Sequence, residues 1–145
     1  MVPQRGKPII SPQFTHHIFE QTLKFHAETP LNNSIEASGE GWVQIAGQRH
    51  EESLLLSHGG EVTPWAVRGF ADLNAGVFAA LCVADLELVV LGTGTQHRFI
   101  HPKQFHPLIE KGIGLETMSS AAACRTYNVL ISEGRKVLLA LIQEH

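Results

Sequence analysis

The sequence predicts an α/β fold in which helices pack against a mixed β-sheet. Short β-forming segments separated by glycine turns over residues 34–57 predict an N-terminal antiparallel meander. The apolar run at 86–91 ends at a glycine, which is typical of a buried parallel strand. A long stretch of helical periodicity covers 119–142. Together these patterns predict a C-terminal parallel βαβ unit, joined by a right-handed crossover, beside the meander.

The size and composition of the chain predict a single domain. Its 145 residues fall within the usual range for one domain, so residues 1–145 are assigned to one. The hydrophobic fraction of 43% and the charged fraction of 17% are typical of a globular protein. Residues 1–12 are polar and contain prolines, so we expect them to form a loose N-terminal arm.

The distribution of charged and apolar residues limits the classes of binding partner and the cellular location that we expect. The net charge is -3, and the 11 basic residues are scattered, so no nucleic-acid partner is expected. No apolar run approaches the roughly 20 residues of a membrane span, so no membrane insertion is expected. The N-terminus has neither the apolar core of a signal peptide nor the composition of a transit peptide. We therefore expect a cytoplasmic, bacterial-type protein whose two cysteines, Cys82 and Cys124, are buried thiols.

The N-terminal meander is predicted to contain three strands. The first covers 34–38 and the second covers 42–45, with a glycine turn at 39–41 between them. After a second turn at 46–48, residues 49–57 predict one long third strand.

The segment after the meander predicts an extended piece and then a helix. Residues 61–67 are extended, and Pro64 places them at a sheet edge because it lacks an amide hydrogen. Asp72 is predicted to cap a helix over 72–84. Apolar residues recur there at helical spacing, namely Leu73, Val77, Ala80, Leu81 and Ala84.

The predicted βαβ unit consists of a strand at 86–91, a helix at 102–111 and a strand at 113–118. Pro102 fits the first turn of that helix, and Pro107 is expected to kink it.

The final helix is predicted to begin at Ser119 or Ser120 and to end near residue 142. Its apolar stripe comprises Ala123, Tyr127, Leu130, Ile131, Gly134, Val137, Leu138 and Leu141. Because Gly134 lies on this stripe, we expect it to permit a close approach to the sheet.

Two loops follow the carboxyl ends of the predicted parallel strands, where α/β sheets bind ligands. They form a candidate cleft for a small anion, with the helix N-terminus as the anion-binding element. Its residues are Gly92, Thr93, Gly94, Ser119, Ser120 and Arg125. The alternative is that the glycines only turn the chain and the serines only cap the helix.

Known catalytic and cofactor motifs are missing from the sequence. His97 stands where a dinucleotide fingerprint needs its third glycine, and no phosphate loop or nucleophile elbow is found. His101 and His106 each precede a proline, so they lack the helical spacing of a metal site. We therefore predict no catalytic residues, no metal and no cofactor.

Several motifs carry a resemblance to a known family. They are Leu91-Gly92-Thr93-Gly94, the stretch at 118–130 with Thr126-Tyr127-Asn128, and Glu133-Gly134-Arg135 on the predicted last helix, with Trp65 further upstream. The chain resembles the small α/β domain family that includes the mitochondrial respiratory complex I assembly factor 3. The family usually has Asp-Thr where this chain has Ser119-Ser120, so any role of that acid is not carried over.

The resemblance implies a layered α/β sandwich with a mixed sheet and no established catalytic residues. It also implies a non-catalytic role in assembling a respiratory complex. The leading hypothesis is therefore a non-enzymatic binding or assembly module with a protein partner. The alternative is a small anionic-ligand-binding protein or enzyme that uses the predicted cleft. The oligomeric state is left open.

Overall fold

The computed structural model describes residues 33–144. The predicted arm at 1–12 lies outside the described residues. The strands are β1 (Ile35–Gly39), β2 (Trp42–Ile45), β3 (Gln48–His50), β4 (Leu54–Ser57), β5 (Val62–Pro64), β6 (Leu88–Gly92), β7 (Gly114–Met118) and β8 (Val137–Leu141). The helices are a 3₁₀ helix (Phe70–Asp72), α1 (Ala75–Ala79), α2 (Pro102–Glu110) and α3 (Ser120–Ser132).

Within residues 33–144, the strands form two sheets. The first is antiparallel, with the order β1-β2-β3. The second is mixed, with the order β5-β4-β8-β6-β7, and β6 pairs in parallel with both β7 and β8. Pro64 lies in the edge strand β5, as its missing amide hydrogen predicts.

Both faces of the mixed sheet are buried, which confirms the layered α/β sandwich. Successive side chains of β8 alternate between the faces, so Leu139 packs towards α3 and the antiparallel sheet. Ala140 packs on the other face, among residues that include Phe78 of α1 and Leu108 of α2. Within residues 33–144, no helix has the length and apolarity needed to cross a membrane.

The predicted helix up to residue 142 is wrong in its second half. Helix α3 ends at Ser132, and β8 follows as a fully buried central strand. Gly134 has φ +79° and ends the helix. Its N–H donates to the Ile131 carbonyl, while the Arg135 N–H donates to that of Leu130, the two bonds of a Schellman motif. Gly134 is therefore exposed at a turn, and the expectation that it is buried and lets the helix approach the sheet closely is wrong.

The single strand predicted over 49–57 is also wrong, because it is divided between the two sheets. β3 ends at His50, and β4 begins at Leu54 in the other sheet. The link between them is held by Gln143, whose side-chain Nε2 donates to the carbonyls of His50 and Glu52 at 3.2 and 3.3 Å.

The helix predicted over 72–84 is shorter than expected. Asn74, not Asp72, is its N-cap, and its Oδ1 accepts from the Val77 N–H at 3.0 Å. The Asp72 carboxylate instead accepts from the Arg68 N–H.

In α2, the predicted kink is confirmed by the non-helical φ/ψ of Phe105, two residues before Pro107.

Candidate functional site

The two predicted loops lie side by side. The parallel pairing of β6 with β7 sets Gly92 opposite Met118, so both loops leave the same edge of the sheet. The Ser120 N–H donates to the Gly94 carbonyl at 2.7 Å, and the Gly94 N–H donates to Ser120 Oγ at 2.9 Å. This reciprocal pair joins the glycine loop to the first turn of α3, and it engages two backbone amides, those of Gly94 and Ser120, at the predicted cleft.

Thr93 anchors the glycine loop from inside. It is fully buried, and its hydroxyl lies 2.6 Å from the Gln96 carbonyl and 3.2 Å from that of Met118. Its N–H also donates to the Met118 carbonyl. Thr93 therefore holds the loop and offers no free group to solvent.

Gly92 and Ser119 also support the contact between the glycine loop and the first turn of α3. A Cβ on Gly92 would lie 2.7 Å from Leu141 Cδ1 and 3.0 Å from Ser120 Cα, so only glycine allows α3 to approach here. Ser119 caps α3, since its hydroxyl accepts from the Ala122 N–H at 3.3 Å.

A groove of about 610 Å³ lies beside this junction. Its lining includes Gly94 and Ser120 together with the carboxylate residues Glu40 and Glu144. Arg125 is exposed on α3 and is not part of the lining. The anionic-ligand hypothesis stays a prediction that these contacts do not favour, because acidic groups repel an anion.

The motif on α3 fastens the helix to both sheets. The Tyr127 hydroxyl donates to the Ser57 carbonyl at the end of β4 over 2.9 Å. The Asn128 amide makes two 2.8 Å bonds, accepting from the Ile35 N–H and donating to the Ile35 carbonyl. Thr126 is half-buried on the same helix, and its side chain forms no hydrogen bond with the described part of the chain.

Glu133, Gly134 and Arg135 form the turn between α3 and β8. Arg135 Nε lies 3.3 Å from Glu87 Oε1, and the Lys136 N–H donates to Glu87 Oε2 at 3.0 Å. The backbone hydrogen bond from Lys136 is the main reason that the pKa of Glu87 is lowered. This motif therefore ties the turn to the segment before β6.

The titratable groups at the centre of the fold are unsuited to nucleophilic attack. Burial raises the pKa of the Cys124 thiol to about 11, so it stays protonated near neutral pH. Burial also raises the pKa of Tyr127. Across residues 33–144, no three His, Cys, Asp or Glu side chains are grouped closely enough to hold a metal ion. His101 instead caps α2 by accepting from the Lys103 N–H.

A second groove, of about 530 Å³, lies beside the edge strand β5 and was not predicted from the sequence. We call it the Trp65 groove, and its lining is Glu52, Ser53, Pro64, Trp65, Ala66, Val67, Arg68 and Gln143. Trp65 is one of the motif residues, but the sequence holds no signal that Ser53 and Gln143 would meet there. They are 90 residues apart and are joined by a bond from the Gln143 N–H to Ser53 Oγ at 2.9 Å.

Comparison with known proteins places the chain among uncharacterised and assembly-related relatives. Residues 35–142 match the family described as "Protein of unknown function (DUF498/DUF598)". An uncharacterised protein of Rhodobacter capsulatus is 40% identical over 109 residues, which cover 74% of this chain and 82% of that protein.

Mammalian relatives carry a functional name. The bovine "NADH dehydrogenase [ubiquinone] 1 alpha subcomplex assembly factor 3" is 30% identical over 118 residues, or 79% of this chain. The human protein of the same name is 31% identical over 90 residues, or 61% of this chain. The match spans 63% of the bovine protein and 48% of the human one.

Solved structures share the fold. A crystal structure of a Bordetella parapertussis protein has a TM-score of 0.72 and 34% identity, covering 79% of this chain and 98% of that one. A Bordetella pertussis protein described as an Mth938-like domain has a TM-score of 0.67 and 29% identity, covering 77% of this chain and 86% of that one.

Proposed function

Because the chain belongs to the DUF498/DUF598 family of unknown function, which includes the mitochondrial respiratory complex I assembly factor 3, we propose that it is a non-enzymatic binding module that helps to assemble a respiratory complex. The observation that carries the proposal is the kinship with bovine and human proteins named as assembly factors of NADH dehydrogenase. The partner is a protein subunit or intermediate of that complex, and the site of action is the cytoplasmic side.

The geometry of the motif residues supports a binding role. Tyr127, Asn128 and Arg135 use their polar atoms on neighbouring elements of the same chain. Catalysis would instead need a base within reach of a nucleophile or of a substrate. Around the glycine loop, the Thr93 and Ser120 hydroxyls are likewise engaged with backbone groups. These residues stabilise the fold, and the surface of that fold is available for a partner.

The test is capture of the partner from the native host. A tagged copy of the chain is expressed from its own locus, cross-linked in living cells and purified, and the bound proteins are quantified by mass spectrometry. We expect enrichment of NADH dehydrogenase subunits over an untagged strain. Enrichment of none of these subunits would contradict the assembly role, and cell fractionation checks the location.

Deletion of the gene in the native host tests the assembly role against the ligand-binding alternative. We expect the strain to contain less assembled NADH dehydrogenase, while subunit synthesis is unchanged. A thermal-shift screen with nucleotides and phosphate addresses the alternative, since a specific ligand raises the melting temperature. A saturable shift with an anion, together with normal NADH dehydrogenase in the deletion strain, would favour the ligand-binding alternative.

A further inference from the structure

The Trp65 groove is lined by two buried polar side chains that each keep one polar atom without a partner within residues 33–144. Ser53 and Gln143 are only 4% and 6% exposed, yet both belong to its lining. Buried polar atoms almost always have a hydrogen-bond partner, because an unpaired one gives up its bond to water without a replacement. An exception of this kind needs an explanation.

The unpaired atoms are one donor and one acceptor. Ser53 Oγ accepts from the Gln143 N–H, and its own hydrogen is donated to nothing within residues 33–144. Gln143 Nε2 donates to two backbone carbonyls, which fixes the orientation of the amide. The Gln143 Oε1 atom therefore remains without a donor in the described part of the chain. A peptide group carries one N–H and one C=O, which are the donor and the acceptor that these two atoms lack.

The rest of the lining suits a side chain on either side of such a peptide group. Trp65, Pro64 and Val67 supply an aromatic and apolar wall. The exposed Arg68 and Glu52 supply one positive and one negative charge, and neither side chain has an ion-pair partner within residues 33–144. A guanidinium is well suited to bind a carboxylate, whereas the nearby Glu52 carboxylate disfavours a simple free anion. The groove therefore complements a polypeptide better than a small anion.

We propose that the Trp65 groove binds an extended segment of a partner protein. One peptide group of the segment bonds to Ser53 and Gln143, an apolar side chain packs on Trp65, and a neighbouring Asp or Glu pairs with Arg68. This inference rests on the proposed function, since it names the surface through which the assembly partner is held. Binding by aromatic and arginine anchors in a partly desolvated groove is typical of protein interfaces.

The test uses the 145-residue chain and a phage-displayed library of random dodecamer peptides. Enriched peptides are synthesised with a fluorescent label, and their Kd values are measured by fluorescence anisotropy. We expect a shared pattern of an apolar residue beside Asp or Glu. Arg68→Glu should weaken binding at least about tenfold, because it sets two like charges against each other. Changing the acidic residue of the peptide to Lys should restore binding to that variant.

Two further variants control the experiment. Trp65→Ala should also weaken binding at least about tenfold, with the melting temperature measured to confirm folding. Arg125→Glu makes the same charge reversal at an exposed position outside the groove, and it should change Kd less than about twofold. Failure to enrich any peptide, equal binding by Arg68→Glu, or mapping of the peptide to another surface would each overturn the proposal.

The failure of this proposal can be told apart from failure of the assembly role. If Arg68→Glu fully restores NADH dehydrogenase in a deletion strain, the groove is wrong and the assembly role stands. If peptides bind the groove but the deletion strain has normal NADH dehydrogenase, the assembly role is wrong and the groove stands.

Discussion

At the residue scale, the side-chain amide of Asn128 acts as a neighbouring strand would for β1. Its oxygen and nitrogen bond to the N–H and C=O of one residue, Ile35, both over 2.8 Å. This pairing joins α3 to the antiparallel sheet at the point where β1 begins. Within the Thr-Tyr-Asn motif, Tyr127 and Asn128 thus have a physical role in stability that needs no ligand.

Replacement of Asn128 by alanine should therefore destabilise the fold. We expect Asn128→Ala to lower the free energy of unfolding by about 2–3 kcal/mol, because two hydrogen bonds are lost and the Ile35 groups lose their partners. Urea denaturation followed by circular dichroism measures the change. Arg125→Ala, exposed on the same helix, is the control and should stay within about 0.5 kcal/mol. Equal stability of the two variants would contradict the role given to Asn128.

The Cys124 thiol should make stability depend on pH in the alkaline range. Its pKa rises from 9.0 to about 11 on folding, because burial disfavours the thiolate. Between these values the unfolded chain loses its proton while the folded chain keeps it, so stability is full below pH 9 and falls as pH rises towards 11. The loss should reach about 2–3 kcal/mol.

Urea unfolding at intervals from pH 8 to pH 11 measures this dependence. Cys124→Ala removes the thiol and should show a shallower fall over the same range, after allowance for the common contribution of Tyr127. If the wild type and Cys124→Ala lose stability in parallel, the buried thiol does not contribute as described.

At the element scale, the junction between α3 and β8 shows why the sequence pattern predicted a helix where the structure has a strand. The run Val137-Leu138-Leu139-Ala140-Leu141 is apolar at every position, so it fits a buried helix and a buried strand equally well. The strand is favoured because both of its faces are covered in the centre of the mixed sheet. The available signal was Gly134, a glycine suited to end a helix one residue after its C-cap.

Substitutions at Gly134 and Gly92 test this interpretation, because the two positions require glycine for different physical reasons. Gly134→Ala should cost about 1–2 kcal/mol, since φ is +79° and nothing lies within 4 Å of the added Cβ. Gly134→Asn should cost less, because Asn tolerates the left-handed conformation. Denaturation of each variant gives the free energies.

Gly92→Ala should be more harmful than Gly134→Ala. Its Cβ would meet Leu141, Ser120 and Ala123 at 2.7–3.1 Å, so the first turn of α3 must shift. We expect a loss of about 3 kcal/mol, at the upper end for an overpacked core. A Gly92→Ala variant as stable as the wild type would show that α3 does not pack against β6 this closely.

At the scale of the whole molecule, the features determined by local pattern could be predicted from the sequence, and those that depend on distant contacts could not. The strand at 42–45, the kink near Pro107 and the meeting of the Gly92 and Ser120 loops arise from local residues and parallel-strand geometry. The break between β3 and β4 depends on Gln143, which is 91 residues away from Glu52. The Trp65 groove was missed for the same reason.

The central claim is that this scaffold acts by holding an assembly partner. The most direct measurement is the amount of assembled NADH dehydrogenase in a deletion strain of the native host, quantified on native gels. The strain is complemented with the wild type, Arg68→Glu or Arg125→Glu at matched protein levels. We predict that the wild type and Arg125→Glu restore assembly and that Arg68→Glu does not. Normal assembly in the uncomplemented deletion strain would contradict the claim.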